Sequence, residues 1–197
     1  MAYYPYTCDT VPAHIACSCE VELGRVRSAA LIHTSFYPQF MTAPEDEATW
    51  AAGIEAGFIV VVPECIGMYN GGEPIYGRGF GFTEETLTAQ KFEVNYVDPD
   101  YLGNLDFYNS INGSRNWHIA FCSETILRIS DKTCSIFASD KIENDLKKEV
   151  VWNVTAKWTW NKTPQHYTIP DNIFTCSPAV SVGASFDNSF DNSFDIP

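Results

Sequence analysis

Four residues near the start of the chain could hold a metal. Cys8, His14, Cys17 and Cys19 form C-x5-H-x2-C-x-C. Thiolate and imidazole ligands suit a tetrahedral structural zinc. The spacing matches no zinc-finger pattern and has no paired C-x-x-C knuckle, so buried free thiols are expected there and no metal. Gly77-Arg-Gly-Phe-Gly has the texture of a phosphate cradle. A dinucleotide fingerprint needs G-x-G-x-x-G straight after a strand and opening a helix. Neither condition is met, and backbone turns explain the glycines. His118 and Cys122 would share a face of a strand, but strand rise puts them ~13 Å apart, too far for a nucleophile and its base. His33 and His166 have no acid or nucleophile patterned around them. Asp98 and Asp100 flank Pro99, where turn chemistry is their expected role. Glycosidase carboxylates pair in space, so the sequence leaves them open. No motif states a reaction: no enzyme, cofactor or metal is expected.

The elements that would position any site are mostly strands. Val150 to Trp160, VVWNVTAKWTW, alternates with a period of two. Val150, Trp152, Val154, Ala156, Trp158 and Trp160 fall on one side, and Val151, Asn153, Thr155, Lys157 and Thr159 on the other. This predicts a strand with one buried face. Its three indoles need a broad apolar cover, a second sheet or a helix. Trp50, Trp152, Trp158 and Trp160 are the expected organisers of the core.

Glu20 to Thr34 predicts one or two strands broken at Gly24, and Phe36 to Pro44 an irregular aromatic stretch. The main helix is expected over about 43–56. Thr42 and Glu45 have capping-box spacing, Pro44 sits near the first turn, and Gly57 is a stop. Phe58 to Val62 reads as a fully buried strand. The glycine-rich run Ile66 to Gly81 reads as a long loop or hairpin tip. Leu87 to Val97 alternates, with Phe92, Val94 and Tyr96 on one face. Leu105, Tyr108 and Ile111 predict a short helix. Short strands are expected at Trp117–Cys122, Thr125–Ile129 and Cys134–Ala138, with Asp131-Lys132 as a hairpin tip between the last two. Asp140 to Glu149 is ambiguous between a helical turn and a loop.

The fold class expected is mainly β (α+β): a β-sandwich or barrel-like core, flanked by that one main helix. It divides into an N-terminal arm (1–19), a sandwich domain (20–165) and a C-terminal extended arm (166–197). The arm ends in three near copies of Ser-Phe-Asp-Asn with a period of four. Asp, Asn and Ser are poor helix formers, so an extended form is expected. Phe186, Phe190 and Phe194 then share a face, and docking on another subunit is their expected role.

The chain has 197 residues and a net charge of −13. Such acidity argues against a nucleic-acid-binding surface, because phosphate contacts need Lys and Arg. It is uneven: Glu45, Asp46, Glu47, Glu55, Glu64 and Glu73 lie between Arg27 and Arg78 with no base among them. Clustered acids can solubilise a protein or line a passage through which DNA slides without sticking. No run of 18 apolar residues is present, so no membrane helix is expected. The first residues, MAYYPYTCDTVP, have no basic or apolar leader, so no secretory signal is expected. Seven cysteines, an odd number, then suggest mostly free thiols. Asn112-Gly-Ser, Asn153-Val-Thr and Asn161-Lys-Thr match the N-glycosylation pattern by coincidence.

The order of pieces carries a resemblance over roughly residues 20 to 165. An acid-capped helix with Trp50 leads into FIVVVPE. A glycine-rich hairpin, KFEVNYVDPD, a LDFYNSI turn of helix and closing strands through VVWNVTAKWTW follow. This order resembles the tail-tube and tail-barrel ring proteins of tailed bacteriophages, including virion proteins of crAss-like phages. The resemblance implies a non-enzymatic virion component, made in the bacterial host cytoplasm. Its copies join edge to edge into a ring in the neck or tail through which DNA passes, and they contact other tail, neck or portal proteins. It implies no sequence-specific nucleic-acid binding and no membrane partner. A carbohydrate- or protein-binding sandwich is the alternative, with Trp117, Trp152, Trp158 and Trp160 as a sugar platform. The shared apolar face of the last three favours core packing. Deletion of residues 184–197 is expected to leave a folded domain, by circular dichroism, that assembles more weakly in native mass measurements. An unfolded truncation, or normal assembly, contradicts the docking role.

Overall fold

The computed structural model describes residues 24–78, 85–141 and 149–174. Cys8, His14, Cys17 and Cys19, the arm 1–19, and Phe186, Phe190 and Phe194 lie outside these residues. In chain order the elements are β1 (Ser28–His33), α1 (Tyr37–Phe40), α2 (Glu47–Glu55), β2 (Ile59–Val62), β3 (Ile66–Arg78), β4 (Glu85–Asp98) and α3 (Leu105–Ile111). They continue with β5 (Trp117–Cys122), β6 (Ile126–Ile129), β7 (Ser135–Lys141), β8 (Val151–Trp160) and β9 (Gln165–Thr168). One sheet runs β2-β1-β5-β6-β9 and the other β3-β4-β8-β7. All pairings between these strands are antiparallel. The chain is mainly β, two sheets packed as a sandwich-like core with helices beside it.

The alternation in β8 does what its chemistry requires. Trp152, Val154, Ala156 and Trp158 are buried, together with Phe92, Val94 and Tyr96 of the neighbouring β4. They meet Ala29, Leu31, Ile119 and Phe121 of the opposite sheet in one core. Phe92 stacks on Trp158 at 5.4 Å, and Tyr69 reaches Phe121 at 4.9 Å. Trp160 ends the strand half-buried, at the rim of this core.

A second core lies on the other face of the five-stranded sheet. Ala30, Ile32, Ala120, Cys122, Leu127 and Ile129 pack there against Phe36, Phe40, Trp50 and Phe174. β1 and β5 therefore carry apolar side chains on both faces and read as near-continuous runs, not alternations. Phe40 and Phe174 each meet the Trp50 indole edge-on, at 4.9 and 5.0 Å, and its Nε1 donates to Pro44 O at 2.8 Å.

Several expectations change. The main helix spans Glu47–Glu55, not 43–56, with Asp46 as its N-cap residue. Thr42 turns backward instead, its hydroxyl donating to Gln39 O and closing the unexpected α1. β2 is half-buried at Val60 and Val61 because it is an edge strand. The run expected as a long loop or hairpin tip at Ile66–Gly81 is the long strand β3 as far as Arg78. Its glycines serve a close approach and a bulge. A Cβ on Gly67 would sit 2.9 Å from Tyr96 Cβ, and Gly72 (φ +87°) occupies the register shift between Asn70 and Glu73. Asp131-Lys132 is no hairpin tip: β6 and β7 lie in different sheets. β9 crosses the expected boundary at 165/166, pairing with β6, and the chain packs on the helix-side core as far as Phe174.

A buried carboxylate fastens α3 to the sandwich. Asp98 Oδ2 accepts from the Tyr108 hydroxyl at 2.7 Å and from Asn104 Nδ2 at 2.9 Å, while Oδ1 accepts from Asp100 N at 2.9 Å. The turn role expected for Asp98 and Asp100 is present, extended by a tertiary one. Asp98→Ala strips three donors of their acceptor and is expected to cost about 3 kcal/mol of stability. Tyr108→Phe leaves two of the three bonds and should cost about 1 kcal/mol. Urea midpoints read both, and an Asp98→Ala midpoint equal to wild type contradicts the fastening role.

Candidate functional site

Among the described residues, the buried cysteines and His118 are held by structure. Cys65, Cys122 and Cys134 are free and buried. Burial pushes each thiol up to about 12, aided at Cys65 by the nearby Asp98 carboxylate. They are protonated at neutral pH and poor nucleophiles. His118 stacks on Tyr37 at 3.5 Å, and its Nδ1 lies 3.0 Å from Ser130 O, which also accepts from the Tyr37 hydroxyl. Burial holds the His118 imidazole below its ordinary pKa, and Lys132 pushes the same way against the Ser130 bond. A neutral, stacked ring with Nδ1 engaged is a packing element. Among the described residues no three His, Cys, Asp or Glu side chains converge as metal ligands.

A cleft of about 930 Å³ lies where the two sheets meet near Cys65 and Cys122, with Ile66 and Phe174 on its walls. Its Arg27 and Glu124 pair with each other at 2.5 Å. The tryptophans form no exposed platform. Trp50, Trp152 and Trp158 are buried, and Trp117 and Trp160 are half-buried. Lys132 Nζ sits 4.0 Å from the centre of the Trp160 ring.

What remains unpartnered is surface. β4 pairs with β8 only from Gln90 to Asp98, so its first five residues bond to β3 alone. The β3–β4 pair continues beyond the sandwich as a two-stranded ribbon of about 17 Å. On this ribbon Tyr76 and Leu87 face each other across the strands and are 59% and 51% exposed.

Among the described residues, nothing covers the outer face of the four-stranded sheet either. Met68, Asn95, Thr155 and Phe137 form one cross-strand row over all four strands. The ends, Met68 and Phe137, are 57% and 60% exposed, and in the middle the Thr155 hydroxyl donates to Asn95 Oδ1 at 2.7 Å. The next row is Asn70, Glu93, Lys157 and Ser135, where Lys157 pairs with Glu93 at 3.0 Å.

The two edges of this sheet differ. At β7 the free side is closed by the loop after α3. Gly113 N donates to Ile136 O, Ile136 N to Ser114 O, and the Asn112 amide bonds both backbone groups of Ala138. At β3 Val26 closes Gly67 alone. Among the described residues, no other pairing occupies that edge. An exposed strand edge is a template for another strand, and the covered one is not.

The candidate site is thus exposed surface among the described residues: ribbon, outer sheet face and β3 edge. Sequence reasoning placed its weight on Phe186, Phe190 and Phe194, which lie outside the described residues, and missed Met68, Tyr76, Leu87 and Phe137. The apolar residues in the glycine-rich run were the available signal. No family model, curated protein or solved structure matches this chain.

The His118 environment has a consequence for stability. Its folded pKa lies below the unfolded value of about 6.5, so the unfolded state binds the proton more tightly. Stability is therefore intact above pH ~6.5 and falls as pH drops below it. The melting temperature of His118→Phe is expected to decline less than that of wild type between pH 7.5 and 5.5. Equal slopes contradict a buried neutral imidazole.

Proposed function

We propose that the chain is a non-enzymatic structural subunit whose copies close into a ring in the neck or tail of a tailed-phage virion. The observation that carries this reading is the β3–β4 ribbon with its exposed Tyr76–Leu87 pair. A two-stranded ribbon is marginally stable in water by itself. Burying the pair against a second copy would stabilise both the ribbon and the contact. In the ring reading this contact joins the ribbon to a different patch on the next copy, a heterologous contact that makes a ring when the rotation closes. With the β7 edge already occupied, the ring contact falls to the ribbon side of the sheet and not to simple edge-to-edge pairing through β7.

Charge supports the same reading. Glu45, Asp46, Glu47 and Glu55 are exposed around α2, on the helix side of the molecule. Turned toward a passage, that side would repel DNA and let it slide. Other tail, neck or portal proteins are the further partners. A sugar-binding role finds no exposed tryptophan to stack on.

Native mass photometry tests the proposal. The wild-type chain is expected as a high-order multiple of its 22.1 kDa mass. Tyr76→Ser with Leu87→Ser removes about 3 kcal/mol of apolar burial per contact, which weakens association about 100-fold. The double variant should keep its circular dichroism spectrum and run as a monomer. A wild-type monomer at micromolar concentration, or a variant that assembles normally, overturns the ring.

A further inference from the structure

We propose that the outer face of the β3-β4-β8-β7 sheet receives the Ser-Phe-Asp-Asn repeat of a second copy, laid across the strands. This rests on the ring reading and assigns a surface to the repeat.

Spacing carries the argument. Met68 and Phe137 sit at the two ends of one cross-strand row, three strand spacings apart. That is about 14 Å. Successive phenylalanines of the repeat are four residues apart, and an extended chain covers about 13 Å in four residues. The chemistry along the span also matches. On one face of an extended repeat the order is Phe186, Asn188, Phe190, Asn192, Phe194. Across the sheet the order is Met68, the hydrogen-bonded Asn95 and Thr155, then Phe137. Apolar meets apolar at both ends, and an amide falls over the amide and hydroxyl in the middle.

Charge agrees. The repeat carries Asp187, Asp191 and Asp195, and no Lys or Arg follows Lys162. A concavity of about 850 Å³ on this face is lined by Lys91, Lys157 and Arg115 against Glu73 and Glu93. Arg115 makes no ion pair among the described residues. Lys91 pairs with Glu73 and Lys157 with Glu93, so Arg115 leaves this concavity one positive charge in excess, which favours an acidic segment there. The described chain ends at Phe174, packed on Trp50 in the helix layer, on the far side of the molecule from this face, and the proposal commits to a second copy as the source, with the chain's own repeat as the outcome that overturns it.

The test uses the full chain with Phe190→benzoylphenylalanine, mixed from 15N-labelled and unlabelled preparations, irradiated and mapped by mass spectrometry. Cross-links are expected on the peptides carrying Met68 or Phe137, in isotopically mixed pairs. Adding Met68→Asp and Phe137→Asp, both at exposed positions, should lower their yield more than tenfold. Cross-links confined to one chain, to another surface, or absent altogether overturn the proposal. The native mass of the same sample separates the two readings. A ring with cross-links elsewhere removes only this contact, whereas a monomer removes the ring as well.

Discussion

β1 and β5 are apolar on both faces, and burying both faces is the constraint from which the rest of the structure follows. Ala29 and Leu31 face one core while Ala30 and Ile32 face the other, and Ile119 and Phe121 are set against Ala120 and Cys122 in the same way. One cover is the sheet organised by β8, whose indoles supply the broad surface. The other is α1, α2 and the chain through Phe174, gathered on Trp50. Removing either cover would expose backbone-paired strands with no polar face to offer water. The helices are therefore a layer of the fold and not an attachment to it.

Among the described residues the four-stranded sheet is covered on one side only, and its surface chemistry follows from that. Its inner positions are aromatic and aliphatic, and its outer positions mix Thr, Asn, Lys and Glu with Ile66, Met68 and Phe137. Its edges are managed differently. Asn112 to Ser114 close β7, an arrangement held in place because Asp98 fastens α3 beside it. β3 bends through two register shifts and runs out into the ribbon. A sheet sealed at one edge and extended at the other is directional.

Charge divides the molecule along the same axis. The acids around α2 face away from the outer sheet, where cations and exposed apolar groups gather. The buried thiols and the stacked His118 belong to packing.

The sequence by itself determined the class of fold, the strands β4 and β8, and the short helix α3. In each, the side-chain period is set by backbone geometry and survives in any context. It determined too that Phe92, Val94, Tyr96, Trp152 and Trp158 share a face with their neighbours, because one strand fixes that face. Only the tertiary structure decided that Ile66 to Arg78 is a strand: its glycines are required by Tyr96 opposite and by a bulge, and neither partner is visible locally. It alone decided that Asp131-Lys132 carries the chain between sheets, since Leu127 and Ile129 bury toward the helices while Ile136 and Ala138 bury between the sheets. The helix start moved from Thr42 to Asp46 because Thr42 bonds back to Gln39. The exposed surface residues Met68, Tyr76, Leu87 and Phe137 were illegible for the same reason. Exposure is a property of what covers a residue, and the cover comes from elsewhere in the chain.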